Sequence, residues 1–273
     1  MLKDITLGQY VSADSILHRA DPRTKLLLSL LFIVTLFIAN SATAFALSAL
    51  VVLLAVFASS VPVRMVVRAV KPLTYIVIFT ALINIFWTKG EHLLLSWQFV
   101  QIYLEGVVFA AFMALRIMLL VVGVSVILTY TTTPISLTDG LEELLMPLAK
   151  LKLPVHDFAM MMTIAMRFIP TLIEETDKIM DAQKARGADF EGGGLLAKAK
   201  ALIPILVPLF VSSFKRADDL AIAMECRCYR GGAGKTKLKV LAFSAVDFWL
   251  AAFGVFYLAA VICLNLLFPL VRI

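Results

Sequence analysis

Residues 153–187, LPVHDFAMMMTIAMRFIPTLIEETDKIMDAQKARG, read as one long helix with a marked end. Pro154 suits its first helical position, because the missing N–H would be unpaired there and φ is preset. Gly187 suits the position just past the end. Phe158, Met162, Met166, Ile169, Ile173 and Met180 recur at steps of three, four and seven, which predicts one apolar face. Glu174, Glu175, Asp177, Lys178, Asp181 and Lys184 crowd the last turns. About 33 residues at about 1.5 Å rise make a rod of about 50 Å, so the end can stand well clear of the start. A solvated Arg186 in the last turn would offset the helix dipole even without a partner.

The rest of the chain is membrane territory. Of 273 residues, 61% are hydrophobic and 16% charged, and a mean hydropathy of +0.94 exceeds what ordinary soluble domains reach. The fold class expected is an all-α integral membrane protein with about five transmembrane helices and a cytoplasmic region of three helices. Residues 1–130 would hold an amphipathic start and four spans, 131–240 the cytoplasmic helices, and 241–273 the last span. The start, with Arg19-Ala20-Asp21-Pro22-Arg23 and Lys25, lacks a signal-peptide cleavage pattern and is expected to stay attached. Leu26 to Ala39 and Ala42 to Val61 are apolar runs with only Asn40 and Ser41 between them, a helical hairpin. A loop with Arg64, Arg68 and Lys71 then leads to a third run, Leu73 to Trp87. Trp87 and Trp97 suit an interfacial belt. Lys89 to Glu105 is too mixed for a span and reads as an external loop. Gly106 to Tyr130 is a full span that carries Arg116 near its middle. That arginine marks either an ion pathway or a bundle-facing residue bonded to neighbouring polar groups; no acidic residue in the other early spans could pair with it, which favours the second.

Basic residues set the orientation. Arg19, Arg23 and Lys25, then Arg64, Arg68 and Lys71, then Lys150 and Lys152 fall on one side of a four-span arrangement, and positive-inside bias makes that side cytoplasmic. Lys235, Lys237 and Lys239 precede the last span, Ala242 to Phe268, which leaves Arg272 outside. The same bias accounts for the net charge of +6, so no nucleic-acid partner is expected.

Between Thr131 and Val240 three helices are expected. The first runs from Ser136 to Leu151, with Ser136 and Thr138 as candidate caps and Glu142 and Glu143 early. The second is the rod above. The third runs from Leu195 to Arg230, between Gly192-Gly193-Gly194 and Gly231-Gly232. Pro170, Pro204 and Pro208 each remove a backbone donor and are hinge candidates. From Leu202 to Val211, including Leu206 and Phe210, apolar residues go all the way round, and a helix of that kind needs cover on every side. The triplet Gly234-Lys235-Thr236 is not a phosphate loop, because Tyr229 stands where the pattern needs glycine and no strand precedes it. Cys226 and Cys228 are two ligands far from His18, His92 and His156, so no metal site is expected. No nucleophile, base and orienter grouping stands out.

These residues together resemble a known family, the transmembrane T-components (EcfT) of energy-coupling factor transporters, over nearly the whole chain. The resemblance rests on Leu17-His18-Arg19-Ala20-Asp21-Pro22-Arg23-Thr24-Lys25, Arg167-Phe168-Ile169-Pro170-Thr171-Leu172, Ala182-Gln183-Lys184-Ala185-Arg186-Gly187-Ala188, Pro204, Pro208-Leu209-Phe210, and the run from Ala223 to Gly232. It implies a scaffold in a prokaryotic importer of vitamins or metal ions, located in the cell membrane; the basic loops put its amino terminus inside and carboxy terminus outside. It further implies binding to two ABC-type ATPase subunits through two Ala-Arg-Gly signatures, and to a membrane substrate-binding S-component. ATP and Mg would belong to the ATPases, with no cofactor on this chain. Ala185, Arg186 and Gly187 match the first signature, while Cys226, Arg227 and Cys228 keep only the arginine of the second. Leu202, Leu206 and Phe210, in the girdle from Leu202 to Val211, would meet the S-component or the membrane surface. The alternatives are a self-sufficient secondary transporter, which would show inverted repeats and midplane polar residues, and a membrane-embedded enzyme, which would need clustered acidic or histidine residues at the bilayer surface.

Overall fold

A computed structural model describes residues 10–88, 92–97, 100–151, 154–188, 190, 192, 194–229, 231 and 241–268. Lys89, Lys152, Leu153, Gly193, Arg230, Gly232, the Gly234-Lys235-Thr236 triplet, Lys237, Lys239 and Arg272 lie outside these, and so do the expectations placed on them. The described residues form two units, one of residues 10–141 with 241–268, the other of residues 142–231.

The first unit opens with α1 (Ile16–Arg19) and α2 (Pro22–Ile38). Asp21 caps α2 by accepting from the Arg23 amide, and Pro22 fills the first turn where no N–H is needed. A bond from Arg19 Nε and Nη2 to Asp14, together with the guanidinium charge, holds the Asp14 carboxyl below its usual range. Next come α3 (Ala42–Ser59), α4 (Val63–Val70), a 3-10 turn (Lys71–Leu73), α5 (Thr74–Trp87), β1 (Leu93–Trp97), β2 (Val100–Tyr103), α6 (Leu104–Val124) with a π turn (Ser125–Thr129), and α10 (Ala245–Leu267). Four stretches are long and apolar enough to cross a bilayer: Ala42–Ser59, Val63–Trp87, Leu104–Thr129 and Ala245–Leu267.

The 17 residues of α2 span about 26 Å, short of a hydrocarbon core of about 30 Å. Its partner decides its role. The Asp21 amide donates to Asp247 Oδ1 (2.7 Å) at the start of α10, while Asn265 near its end donates to Ile38 O (2.8 Å) and accepts from the Asn40 amide (3.1 Å). Pinned at both ends, α2 and α10 run parallel and cover the same depth, so α2 is expected to cross wherever α10 does, as a fifth crossing beside the four stretches that qualify by length.

Phe32, Leu36, Phe45, Val52, Leu119, Tyr257 and Val261 form the bundle core. The Phe32 ring lies where a Cβ on Gly123 would sit, so glycine lets α2 and α6 close up. Tyr257 and Ser48 exchange a buried hydroxyl bond (2.7 Å). Outward, Leu30, Phe37, Phe57, Tyr75, Phe79, Phe248 and Phe256 are exposed, the surface lipid covers.

Two expectations for this unit change. Arg64, Arg68 and Lys71 lie on helix or helical turn, not in a loop, because Val61, Val66, Val126 and Tyr130 give α4 a core of its own. The segment after Lys89 contains an antiparallel hairpin rather than plain loop, β1 pairing with β2 from Leu93↔Tyr103 to Trp97↔Val100 with an irregularity between Leu93 and Leu95. Trp87 is exposed at the helix end as a belt residue would be; the Trp97 side chain lies outside the described set. Arg116 Nη2 donates to Ala39 O (2.7 Å) and Asn40 Oδ1 (3.4 Å), with the guanidinium over the Phe45 ring. It thus binds the carboxyl end of α2, where a cation suits both the free carbonyl and the dipole. This is the bundle-facing role, and the "midspan" position follows because α2 and α3 turn at that depth while α6 extends beyond it.

α7 (Pro134–Leu145) is capped by Thr133 Oγ1, which accepts from the Ser136 amide (3.2 Å). Ser136 and Thr138 are therefore inside the helix, which Pro134 starts two residues earlier than expected, and Glu142 and Glu143 fall in its last turn because it ends at Leu145 rather than Leu151. A 3-10 turn (Met146–Leu151) precedes the second unit's two long helices, α8 (Val155–Ala185) and α9 (Leu195–Cys226). Pro154 is the residue before α8 rather than its first, with ψ at 59° outside the helical range.

Candidate functional site

α8 and α9 pack against each other at two described places. Glu175 accepts from Arg216 Nη2 (2.6 Å) and from the Ser212 hydroxyl, and Arg216 Nε lies 3.5 Å from Ser212 Oγ. Tyr229, just past α9, donates its hydroxyl to Met160 Sδ (3.0 Å) on α8. From the first contact to the second, numbering falls on α8 and rises on α9, so the helices are antiparallel. Both run unbroken through Pro170, Pro204 and Pro208. Near the start of α8, and within the second unit, His156 Nδ1 bonds Glu142 Oε1 (2.8 Å).

The two helix ends have the same construction. At α8, Arg186 is the C-cap residue (φ −86°, ψ 4°), the Gly187 amide donates to Lys184 O (2.9 Å), and the Ala188 amide to Gln183 O (3.0 Å). At α9, Arg227 is the C-cap (φ −89°, ψ 16°), the Cys228 amide donates to Glu225 O (2.8 Å), and the Tyr229 amide to Met224 O (3.0 Å). Each is a Schellman motif, in which the residue after the cap turns left-handed so that the last carbonyls find donors. Gly187 does this at φ 87° and Cys228 at φ 60°. Ala185-Arg186-Gly187 and Cys226-Arg227-Cys228 thus share one backbone turn despite the departure in sequence. It also corrects the expected stop of α9: Cys228 ends the helix, and Gly231, also left-handed at φ 85°, lies beyond it.

All six residues of the two motifs are exposed, and neither arginine has a partner among the described residues. From Met160, level with the end of α9, to Arg186 is about 26 residues, or about 40 Å along α8. A small domain is about 30 Å across. The two guanidinium groups therefore lie too far apart to meet one small domain face, and each is free to enter a separate groove with its five donors.

Within this chain the apolar girdle is covered on one side only. Ile205 is buried and Leu209 half-buried, while Leu202, Ile203, Leu206, Val207, Phe210 and Val211 remain exposed. The antiparallel partner covers one stripe and leaves the rest. On α8, Met162, Met166, Ile169, Ile173 and Met180 are half-buried, but Phe158 is 50% exposed and Ala159 takes the inner place. Among the described residues no cluster of His, Cys, Asp or Glu has metal-binding geometry.

Sequence reading missed the Glu175–Arg216–Ser212 clasp and the Asp21–Asp247 pin. Asp247 is 3% exposed and also accepts from the Ser244 amide and hydroxyl, while the buried Lys25 ammonium donates to Thr131 O (2.9 Å). The capping box Ser244-x-x-Asp247 was the one local signal available for this site.

The family described as "Cobalt transport protein" (CbiQ) matches residues 13–238. A protein of Clostridium kluyveri called energy-coupling factor transporter transmembrane protein EcfT is 55% identical over 249 residues, 91% of this chain and 92% of its own. Proteins of the same name from Ruminiclostridium cellulolyticum and Bacillus subtilis are 48% and 47% identical; the first alignment covers 98% of this chain and all of the relative, the second 90% and 93%. A predominantly helical membrane protein that carries these motifs, matches that family over most of its length and shares about half its residues with such relatives belongs to the CbiQ family, as a transmembrane T-component of an energy-coupling factor transporter.

Proposed function

We propose that this chain is the non-catalytic scaffold that couples two cytoplasmic ABC-type ATPase subunits to a substrate-binding S-component for a vitamin or metal ion. ATP and Mg bind to the ATPases, whose movement reaches the membrane through α8 and α9. Arg186 and Arg227 are the two anchors, with Ala185, Gly187, Cys226 and Cys228 shaping the turns that present them. The exposed face of Leu202, Leu206 and Phe210 meets the S-component, and Pro170, Pro204 and Pro208 are where the helices flex. The observation that carries this reading is the pair of matching C-cap arginines, exposed and about 40 Å apart on one antiparallel pair of helices.

The test is co-purification. Truncating a charge that is buried and hydrogen-bonded at an interface costs about 2 to 5 kcal/mol, whereas a solvated helix-end arginine costs under about 1 kcal/mol. Arg186→Ala and Arg227→Ala are each expected to weaken ATPase retention and uptake, and the double variant to abolish both. Normal retention and uptake by a correctly inserted double variant would leave the arginines as dipole partners only.

A further inference from the structure

The basic residues at the start of the third crossing form a surface that topology signalling alone does not explain. Arg64, Arg68 and Lys71 are spaced to lie on one helical face, all three are exposed, and none has an ion-pair partner among the described residues. From Ser59 to Trp87 the chain has no acidic residue. Arg64 also sits in the first turn of a helix with no side-chain cap and no acid, where the dipole disfavours a cation and favours an anion. Together with Val66, Val67, Val70 and Thr74 the three cations line an open groove of about 510 Å³.

The geometry of this face is fixed from behind. Tyr130 is fully buried, its hydroxyl donates to Met65 O (3.1 Å), and its carbonyl accepts from the Val11 amide (3.0 Å). The groove therefore points outward whatever binds it. The same spacing of fours and threes continues up the helix through Tyr75, Ile78 and Leu82, which are 80%, 54% and 48% exposed. From Lys71 to Leu82 is about 17 Å, close to half of a hydrocarbon core of about 30 Å. One continuous stripe thus presents three cations at the membrane surface and an apolar track one leaflet deep.

We propose that α4 and α5 hold an acidic phospholipid, its phosphate between Arg64, Arg68 and Lys71 and an acyl chain along Tyr75, Ile78 and Leu82. A soluble anion would use the cations but not the track, and a neutral lipid the track but not the cations. The assignment to the cytoplasmic leaflet rests on the positive-inside orientation; the site itself does not.

The full chain, purified with whatever subunits accompany it, is reconstituted in vesicles of equal parts phosphatidylglycerol and phosphatidylcholine, and the lipid retained after extraction is weighed by native mass spectrometry. Each cation near the surface is worth about fivefold, so the wild type should prefer phosphatidylglycerol by about a hundredfold and R64Q/R68Q/K71Q should lose that preference. R64K/R68K, which keeps the charge, should retain it. These charges also help to orient the protein, so the termini of each variant are mapped. If the triple variant inserts wrongly, the single variants R64Q, R68Q and K71Q decide, each expected to lose about fivefold. Equal retention of the two lipids by the wild type, or unchanged preference in the correctly inserted variants, overturns the proposal. So does displacement of the lipid by inorganic phosphate, which would make this a soluble-anion site, or loss of a membrane subunit in place of lipid, which would make it a protein interface.

Discussion

At Cys228 a side chain other than glycine sits at φ 60°, a left-handed conformation that costs an L-residue about 1 to 2 kcal/mol. Gly187 occupies the equivalent place at the other helix end without that cost. The sequence difference is thus one of strain, not of design: the turn forms either way, because the Cys228 and Tyr229 amides complete the carbonyls of Glu225 and Met224. Cys228→Gly is expected to stabilise the purified chain by about 1 kcal/mol and to leave ATPase retention intact, while Cys228→Val, branched at Cβ, should destabilise by about as much or more. Thermal unfolding in detergent checks both, with Cys228→Ala, still an L-residue, expected to gain nothing. No gain on Cys228→Gly would mean that the thiol makes a contact worth as much as the strain it endures.

The long helices show what a sequence yields at the scale of elements. α8, α9 and the crossings were legible because apolar period, length, glycine stops and flanking charge all act within a few residues of the feature they fix. The clasp between α8 and α9 was not: Glu175 and Arg216 are ordinary surface-type residues whose meaning lies in an antiparallel register no local pattern encodes. Two carboxylate oxygens there accept from Arg216 and Ser212 at once, the geometry that makes such a pair stronger than a lone surface bridge. With the side chains 20% and 39% exposed, solvent still screens it. A double-mutant cycle on Glu175→Gln and Arg216→Gln is therefore expected to give a coupling of about 1 kcal/mol. Uptake should fall more than ATPase retention, because the variants loosen the link between helices and leave Arg186 and Arg227 in place. A coupling near zero, or a loss of retention equal to the loss of uptake, would show that the clasp does not carry movement. Caps followed the same division: Pro154 and Thr133 shift boundaries by one or two residues, whereas the Asp21–Asp247 pin joins residues that only the folded bundle brings together.

For the whole molecule the parity of crossings decides where the ends lie, and α2 is the element on which parity turns. Its 17 residues are too few to claim a crossing by length. Its bonds to α10 at both ends supply the claim instead, since the Asp21 amide meets Asp247 at one level and Asn265 meets Ile38 and Asn40 at the other. Arg116 marks the same outer level by binding Ala39 O, which explains a charge that sequence alone puts in mid-membrane. If α2, α3, the α4–α5 helix, α6 and α10 all cross, the amino and carboxy ends are expected on opposite sides. Positive-inside bias at Arg19, Arg23, Arg64 and Arg68 predicts that the start of the chain faces the cytoplasm. A reporter active only outside the cell, fused to each end in turn, is expected to be silent at the amino end and active at the carboxy end. The same outcome at both ends would mean an even number of crossings and would remove α2 from the spans. Activity at the amino end alone would keep all five and reverse the orientation, placing α8 and α9 outside the cell, where no ATPase could reach Arg186 and Arg227.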